Sequence, residues 1–382
     1  MIGYGKQCID EDDIAAVVSV LRSDYLTQGP SVEAFEKELC DYTSARYAIS
    51  VNNGTAALYM AYAALGVTTG SRVWTSPITF VATVNAAIML GATVEYVDVD
   101  PSTGNISVDN LAKQLKRACR RNELPDVVVP VHLTGRSCDM AEIAVLAERY
   151  GFSVVEDAAH ALGGQYHGKK IGSCEFSNAT IFSFHPVKSI TTGEGGVIMT
   201  NNLELAQIFR EIRHHGITRD RAKFANPKAP GFHYEQLRMG FNFRLSDIHA
   251  ALGASQMKKL DSFIQKRKKI ASFYLDRAET FSQFNWPLRS DDSAWHLFSI
   301  GCKNRSVRDR LYANCLSHGV ATAVHYPPVY RQPWHQTAAP HRSLAGAEHY
   351  ANTTLTLPLF YSMDEEMVIH VLQVLETCTE VV

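Results

Sequence analysis

Between about residues 45 and 200, short apolar runs rich in β-branched residues recur, each followed by a longer stretch with helical periodicity. That alternation predicts parallel strands joined by crossover helices, an α/β sheet domain. The strand candidates are Tyr47–Val51, Arg72–Thr75, Thr93–Val97, Val127–Val131, Ser153–Glu156, Ala179–Phe184 and Gly196–Thr200. The helices between them are Ala56–Leu65, Phe80–Leu90, Ile106–Cys119 and Met140–Tyr150. Several strands are continuously apolar, so both sheet faces should be covered. Beyond Arg244 the texture changes to one long helix, Ser246 to about Asp276, and then to shorter segments around Trp295–Cys302 and Ala321–Tyr326. A second, smaller domain is expected there. The cationic run Lys266-Arg-Lys-Lys269 reads as a solvated helix face. Ala222–Arg238, with Pro227, Pro230 and Gly231, reads as a connecting loop.

With 382 residues, 46% hydrophobic and 20% charged, the chain can bury a large core, and disorder is not expected. A net charge of -2, with dispersed acidic and basic residues, gives no reason to expect nucleic acid or an anionic membrane as a partner. The opening Met1-Ile-Gly-Tyr-Gly-Lys-Gln7 lacks an apolar core, and the most apolar stretch, Val81–Val99, is broken by Asn85, Gly91 and Glu95. Neither a signal peptide nor a membrane span is expected. Eight scattered cysteines, including Cys378, form no C-x-x-C pair, which argues against zinc and against a disulfide framework and makes the cytoplasm the expected compartment.

Two strand ends carry the chemistry. Ser153-Val-Val-Glu-Asp-Ala-Ala-His160 places a carboxylate, Asp157, where open α/β sheets hold ligands. It suits a cationic partner such as a protonated pyridine, and it equally suits capping of a following helix. Thr180-Ile-Phe-Ser-Phe-His-Pro-Val-Lys188 ends in a hydroxyl, a histidine and a lysine, and Thr191-Thr-Gly-Glu-Gly-Gly196 follows. A lysine beside an apolar strand end can be desolvated and its pKa lowered, as a Schiff-base nucleophile requires. Asn53-Gly-Thr-Ala-Ala57 joins a strand to a helix N-terminus, where Gly54, Thr55 and the helix dipole would favour a phosphate, with Ser183 as a second hydroxyl. The same turn is also an ordinary connection capped by Asn53 or Thr55. Phe80, after Pro77, can stack on a ring or pack in the core.

Taken together, Asn53–Ala57, Phe80, Glu156–His160, Ser183–Lys188, Gly193–Gly196 and Gly240-Phe-Asn-Phe-Arg244 resemble the DegT/DnrJ/EryC1/StrS family of sugar aminotransferases, in matching order from Leu26 to Pro328. The resemblance implies the type I fold of pyridoxal-phosphate enzymes, like aspartate aminotransferase, with a large mostly parallel sheet domain (residues 1–250) and a smaller C-terminal α/β domain (251–382). It implies a homodimer with shared active sites. It also assigns roles: Lys188 to the Schiff base, Asp157 to the pyridine nitrogen, His160 to the ring hydroxyl, Phe80 to ring stacking, Gly54, Thr55 and Ser183 to the phosphate, and Asn242 to the phosphate of the other subunit. Relatives that dehydrate replace the lysine by histidine; this chain keeps Lys188.

The opening and the Ser183–Thr192 stretch look most like the transaminases of the pseudaminic-acid pathway. The implied reaction moves an amino group from L-glutamate to the C4 ketone of a UDP-linked 4-keto-6-deoxy-N-acetylhexosamine. Another nucleotide-linked 4-keto or 3-keto deoxysugar is the alternative acceptor. Thr27, Gln28, Gly29, His325, Tyr326 and Arg331 resemble places where relatives meet the sugar, and each equally suits loop packing; His185 faces the sugar or simply packs. Against a desulfurase stands the lack of a cysteine in a mobile loop. Against an amino-acid substrate stands the lack of a clear arginine for a second carboxylate, Arg244 and Arg331 remaining open. A regulatory protein on a degenerate scaffold is the third reading, disfavoured by the joint presence of Lys188 and Asp157.

Overall fold

The computed structural model describes residues 1–226, 228–338 and 343–377; Pro227 and Cys378 lie outside the described residues. Seven strands form the main sheet: β1 Tyr47–Val51, β2 Arg72–Thr75, β3 Thr93–Tyr96, β4 Val127–Val129, β5 Ser153–Asp157, β6 Ala179–Ser183 and β7 Gly196–Thr200. Their spatial order is β1-β7-β6-β5-β4-β2-β3. Neighbours from β3 through β6 pair in parallel, and β7 runs antiparallel to both β6 and β1. The reversal departs from a purely parallel reading. It follows from the connection: Phe184 to Gly195 holds no crossover helix, so the chain returns as a hairpin. Phe184 N–H donates to Gly195 C=O at 2.9 Å, and Thr192 N–H to Phe184 C=O at 3.0 Å, tightening its neck.

Helix Gly54–Ala64 is apolar all round, and such a helix belongs inside. Ala56, Ala57, Met60, Ala61 and Tyr62 are buried between the sheet and the helix Leu203–Arg213. Small alanines let the helix approach the strands closely, which sets its N-terminus at the end of β1.

A second hydrophobic cluster is built around the antiparallel pair β8 Phe298–Gly301 and β9 Thr354–Leu357, covered by helices Arg305–Ser317 and Glu365–Thr377. The start of the chain joins it, because Ile2 pairs with Val320. The Ala321–Tyr326 segment forms no strand of its own and contributes a single bridge, Ala323 to Thr356. No helix of the described residues is long and apolar enough to cross a membrane.

The expected single helix from Ser246 is two, Asp247–Met257 and Leu260–Leu275. At the break Lys259 turns its ammonium to Asp10 (2.6 Å) and Asp13 (2.7 Å) of the first helix, while Leu260 is fully buried. The cationic run is likewise only partly a solvated face. Arg267 is buried, and its guanidinium donates to the carbonyls of Trp295 (3.4 Å), His296 (3.2 Å) and Leu359 (3.0 Å). Burial lowers its pKa to about 10, still leaving it charged at neutral pH. One side chain thus satisfies three carbonyls of two segments that have no strand partners of their own there. Arg267→Met should therefore cost about 3 kcal/mol or more of unfolding free energy, read as a lowered urea midpoint, with Arg267→Lys losing less.

Candidate active site

Strand β5 alternates its last two side chains across the sheet. Glu156 points to one face, where its carboxylate accepts from Ser177 Oγ (2.5 Å) and Thr180 Oγ1 (2.8 Å) and pairs with His132 Nε2 at 2.7 Å. Asp157 points to the other. Its Oδ2 accepts from Thr83 Oγ1 at 2.7 Å and its Oδ1 from Ala159 N–H at 3.2 Å. Thr83 lies in helix Ala82–Met89 and is itself paired with Thr79 Oγ1 at 2.7 Å, while its carbonyl accepts from the buried Tyr62 hydroxyl at 3.1 Å. The Asp157 carboxylate closes a local turn and caps no helix.

The hairpin between β6 and β7 brings Lys188 to this carboxylate. Burial lowers the Lys188 amine to about 8, and the Asp157 charge works in the opposite sense. Three histidines share the neighbourhood. His160 is buried, its Nε2 lies 3.1 Å from Tyr326 Oη, and its Nδ1 has no hydrogen-bond partner. His296 packs its ring 4.5 Å from that of His160. His325 hydrogen-bonds Thr356 Oγ1 through Nδ1 at 2.9 Å and meets the Tyr4 ring at 5.2 Å. Burial, reinforced by the Lys188 charge, pushes His160 well down and takes His325 to about 4, so both rings are neutral at physiological pH. Residues Lys6 to Cys8 border a small cavity beside Lys188.

At the end of β1, Asn53 caps helix Gly54–Ala64 by accepting from Ala56 N–H at 2.8 Å. The N–H groups of Gly54 and Thr55 sit in the first helical turn, which has no intrahelical acceptors to offer them. A Cβ on Gly54 would stand 3.3 Å from Ser183 Cβ, so the glycine leaves the opening between the helix end and the Ser183 side chain. Phe80 does not pack in the core: it is 60% exposed, with its ring 6.2 Å from that of Tyr326. His185 is exposed at the hairpin.

Other expected site residues lie apart from this cluster. Asn242 is exposed on the segment that runs beside β1, where Asn52 N–H donates to Phe243 C=O at 2.9 Å. Thr27 and Gln28 are exposed in the turn that bridges Ser246. There Asp247 accepts from the N–H groups of Gly29 (2.8 Å) and Ser31 (2.9 Å). Arg331 is held by Glu348, through Nε at 3.1 Å, and Arg244 lies against His214 Nδ1 at 2.5 Å. Three neighbours of the cluster escaped the sequence reading: Thr83, Thr79 and His296. The two threonines had a faint signal, a pair of hydroxyls four residues apart across the entry to the helix Ala82–Met89; His296, at an irregular turn, had none.

The model of the DegT/DnrJ/EryC1/StrS aminotransferase family matches residues 7–376, nearly the whole described chain. The chain belongs to that family. It is 36% identical over 368 residues to the UDP-4-amino-4,6-dideoxy-N-acetyl-beta-L-altrosamine transaminase of Campylobacter jejuni, covering 95% of this chain and 94% of that one. Among solved structures, Helicobacter pylori PseC, an aminotransferase involved in the biosynthesis of pseudoaminic acid, superposes with a TM-score of 0.92 at 31% identity, covering 100% of both chains. The PLP-form of the sugar aminotransferase Spr1654 from Streptococcus pneumoniae superposes at 0.87 with 25% identity, covering 99% of this chain and 98% of that one. The fold is that of the pyridoxal-phosphate-dependent aminotransferases, and the chain is an enzyme of that class.

The residues fit such a cofactor in three independent ways. A carboxylate and a partly desolvated amine face one space, a buried histidine nitrogen lacks a partner, and a glycine cradle opens beside a serine and a helix N-terminus. The amine can be tested alone. In cofactor-free protein, acetylation of Lys188 followed by mass spectrometry should rise with pH through a midpoint of about 8. Asp157→Asn should move that midpoint lower, since the carboxylate's charge holds the proton on; an upward move would contradict the geometry.

Proposed function

We propose that this family member is a pyridoxal-5'-phosphate-dependent transaminase that moves the amino group of L-glutamate to the C4 ketone of a UDP-linked 4-keto-6-deoxy-N-acetylhexosamine, in pseudaminic-acid-type biosynthesis. The observation that carries the chemistry is the half-buried Lys188, its amine desolvated and set against Asp157 at the end of β5. The acceptor rests on the similarity to the Campylobacter transaminase and to PseC. The reading includes a cytoplasmic homodimer in which exposed Asn242 serves the phosphate site of the second copy.

When bound, the cofactor supplies an aldehyde to the lysine and an electron-withdrawing ring that takes up the pair left when a C–H bond beside nitrogen breaks. Lys188 does the rest of the proton work. An amine with a pKa of about 8 is roughly a tenth neutral at pH 7, against well under a thousandth for an ordinary lysine. That neutral fraction can attack a carbonyl, take the α-proton of the donor at Nζ and deliver a proton to the acceptor carbon. Asp157, held by Thr83 and Ala159 N–H, keeps a negative charge fixed where a pyridinium N–H would lie. Gly54, Thr55 and Ser183 would hold the phosphate, Phe80 would cover the ring, and neutral His160, steadied by Tyr326 Oη on its Nε2, would offer a hydrogen bond to the ring hydroxyl. Thr27, Gln28, His185, His325 and Tyr326 are assigned to the sugar side.

Protein purified with pyridoxal phosphate should show the visible band of a lysine-bound cofactor, and Lys188→Ala should lose both the band and turnover, by about 10⁴-fold or more. A panel of nucleotide-linked 4-keto and 3-keto sugars, each supplied with glutamate, tests the acceptor. Faster amination of a non-UDP or 3-keto sugar than of the UDP-linked 4-keto sugar would overturn that part of the proposal while leaving the Lys188 chemistry standing.

A further inference from the structure

A cleft of about 620 Å³ lies between the sheet-side loops at 101–103 and 134–136 and the second cluster at 284–301 and 349–354. None of the residues that line it belongs to the Lys188 cluster. We propose that it is a second binding site, for a small organic anion that carries a planar aromatic ring.

The volume falls within the range of sites that enclose small molecules, and the lining has the mixture such sites show, apolar walls with a few polar groups. Phe284, Trp286, Leu288 and Trp295 supply apolar and aromatic wall. The indole N–H groups are both already spent, Trp286 on Phe281 C=O at 3.1 Å and Trp295 on Ser290 C=O at 2.9 Å. Those bonds and the Phe298 ring, 5.7 Å from Trp295 and 6.1 Å from Trp286, fix both indoles, and the half-buried Trp286 keeps ring surface toward the cleft on which a planar ligand packs.

The charge in the cleft has one sign. Among the described residues that line it there is no aspartate or glutamate, whereas Arg136 is there, half-buried. Its guanidinium forms no ion pair among the described residues. The nearby carboxylates are otherwise placed: Asp100 accepts from the Ser102 and Thr103 N–H groups at 2.7 and 3.0 Å, and Asp139 feels the arginine as one charge among several. A half-buried guanidinium with planar donors and no carboxylate is suited to a carboxylate or a phosphate ester. Deeper in, Tyr350 is 5% exposed, and its hydroxyl is buried without a hydrogen-bond partner; the Ser299 and Thr354 hydroxyls approach it without closing a bond. A ligand oxygen would satisfy it, and a buried unsatisfied hydroxyl is costly enough to make that contribution felt.

The back of the cleft is also the back of the cofactor site. Gly135 stands so close to this junction that a Cβ on it would lie 3.0 Å from His160 O, Trp295 N and His296 N alike. Ala294 N–H and Leu297 N–H donate to Gly135 and Thr134 carbonyls at 3.0 and 3.1 Å, so the wall is one hydrogen-bonded unit. A ligand on Arg136 and Trp295 thus touches the segment that holds His296 against His160.

The test uses the full chain loaded with cofactor. Isothermal titration with naphthalene-2-carboxylate and, separately, 2-naphthyl phosphate should show one site per chain with Kd below about 1 mM for at least one of them. The better of the two marks the natural ligand as carboxylate or phosphate ester. Arg136→Gln should weaken that binding at least tenfold, as should replacing the probe by neutral naphthalene-2-carboxamide. Tyr350→Phe should weaken it severalfold with the circular dichroism spectrum unchanged, and Lys188→Ala should leave it unaltered. Absence of binding by both probes, affinity indifferent to Arg136→Gln, or affinity lost with Lys188→Ala would each overturn the proposal.

Discussion

The connection between β6 and β7 holds no helix that could carry the chain across the sheet, and the site is arranged around the hairpin that results. Because the chain must fold back on itself, Lys188 is left at the mouth of a hairpin whose neck is hydrogen-bonded, at the end of the strand beside β5. Gly196, the first residue of β7, then passes so near the Asn53–Gly54 turn that a Cβ on it would lie 2.7 Å from Asn53 C. The same turn in the chain therefore sets the amine against the Asp157 carboxylate and places Ser183 opposite the start of the first sheet helix. A longer, helical connection would have put the lysine elsewhere.

Two opposed electrostatic effects act on that amine, and their balance is what makes it useful. Burial alone disfavours the ammonium, and a carboxylate alone favours it. With burial the larger, the amine is left in the range where both of its protonation states are populated near neutrality. The carboxylate in turn is fixed by a chain of hydroxyls, Thr79 to Thr83 to Asp157, that reaches in from a different helix. Neutral histidines complete the enclosure without adding positive charge that would depress the lysine further.

Much of this was legible from residue order. Short apolar runs rich in β-branched residues marked all seven sheet strands, and three of them, Tyr47–Val51, Arg72–Thr75 and Gly196–Thr200, have the expected bounds, because strands that are mostly buried stand out between polar turns. The strand ends holding Asp157 and Lys188 were legible for the same reason. What did not show was anything decided by a distant partner. The helix break at Lys258–Lys259 depends on Asp10 and Asp13, and the burial of Arg267 depends on carbonyls of segments near 295 and 359. His296 reaches His160 only through the packing of two separate clusters. Local periodicity carries no information about such meetings.

The segment from Ile2 to Cys8 has a consequence for the order in which the molecule is put together. Ile2 exchanges backbone hydrogen bonds with Gly319 and Ala321 at 2.7 and 2.8 Å, Tyr4 C=O accepts from Leu359 N–H at 3.2 Å, and Cys8 C=O accepts from Gln256 Nε2 at 2.9 Å. Every strand of the main sheet and the lysine hairpin lies before residue 201, whereas the core that covers them draws on Leu205 to Ile212 on one face and Leu245 to Ile264 on the other. The segment at residues 2–4 finds its backbone partners only around 319–321 and 359. The Tyr4–His325 wall beside the lysine therefore closes last, when the second cluster folds against a sheet whose own helices are already in the chain.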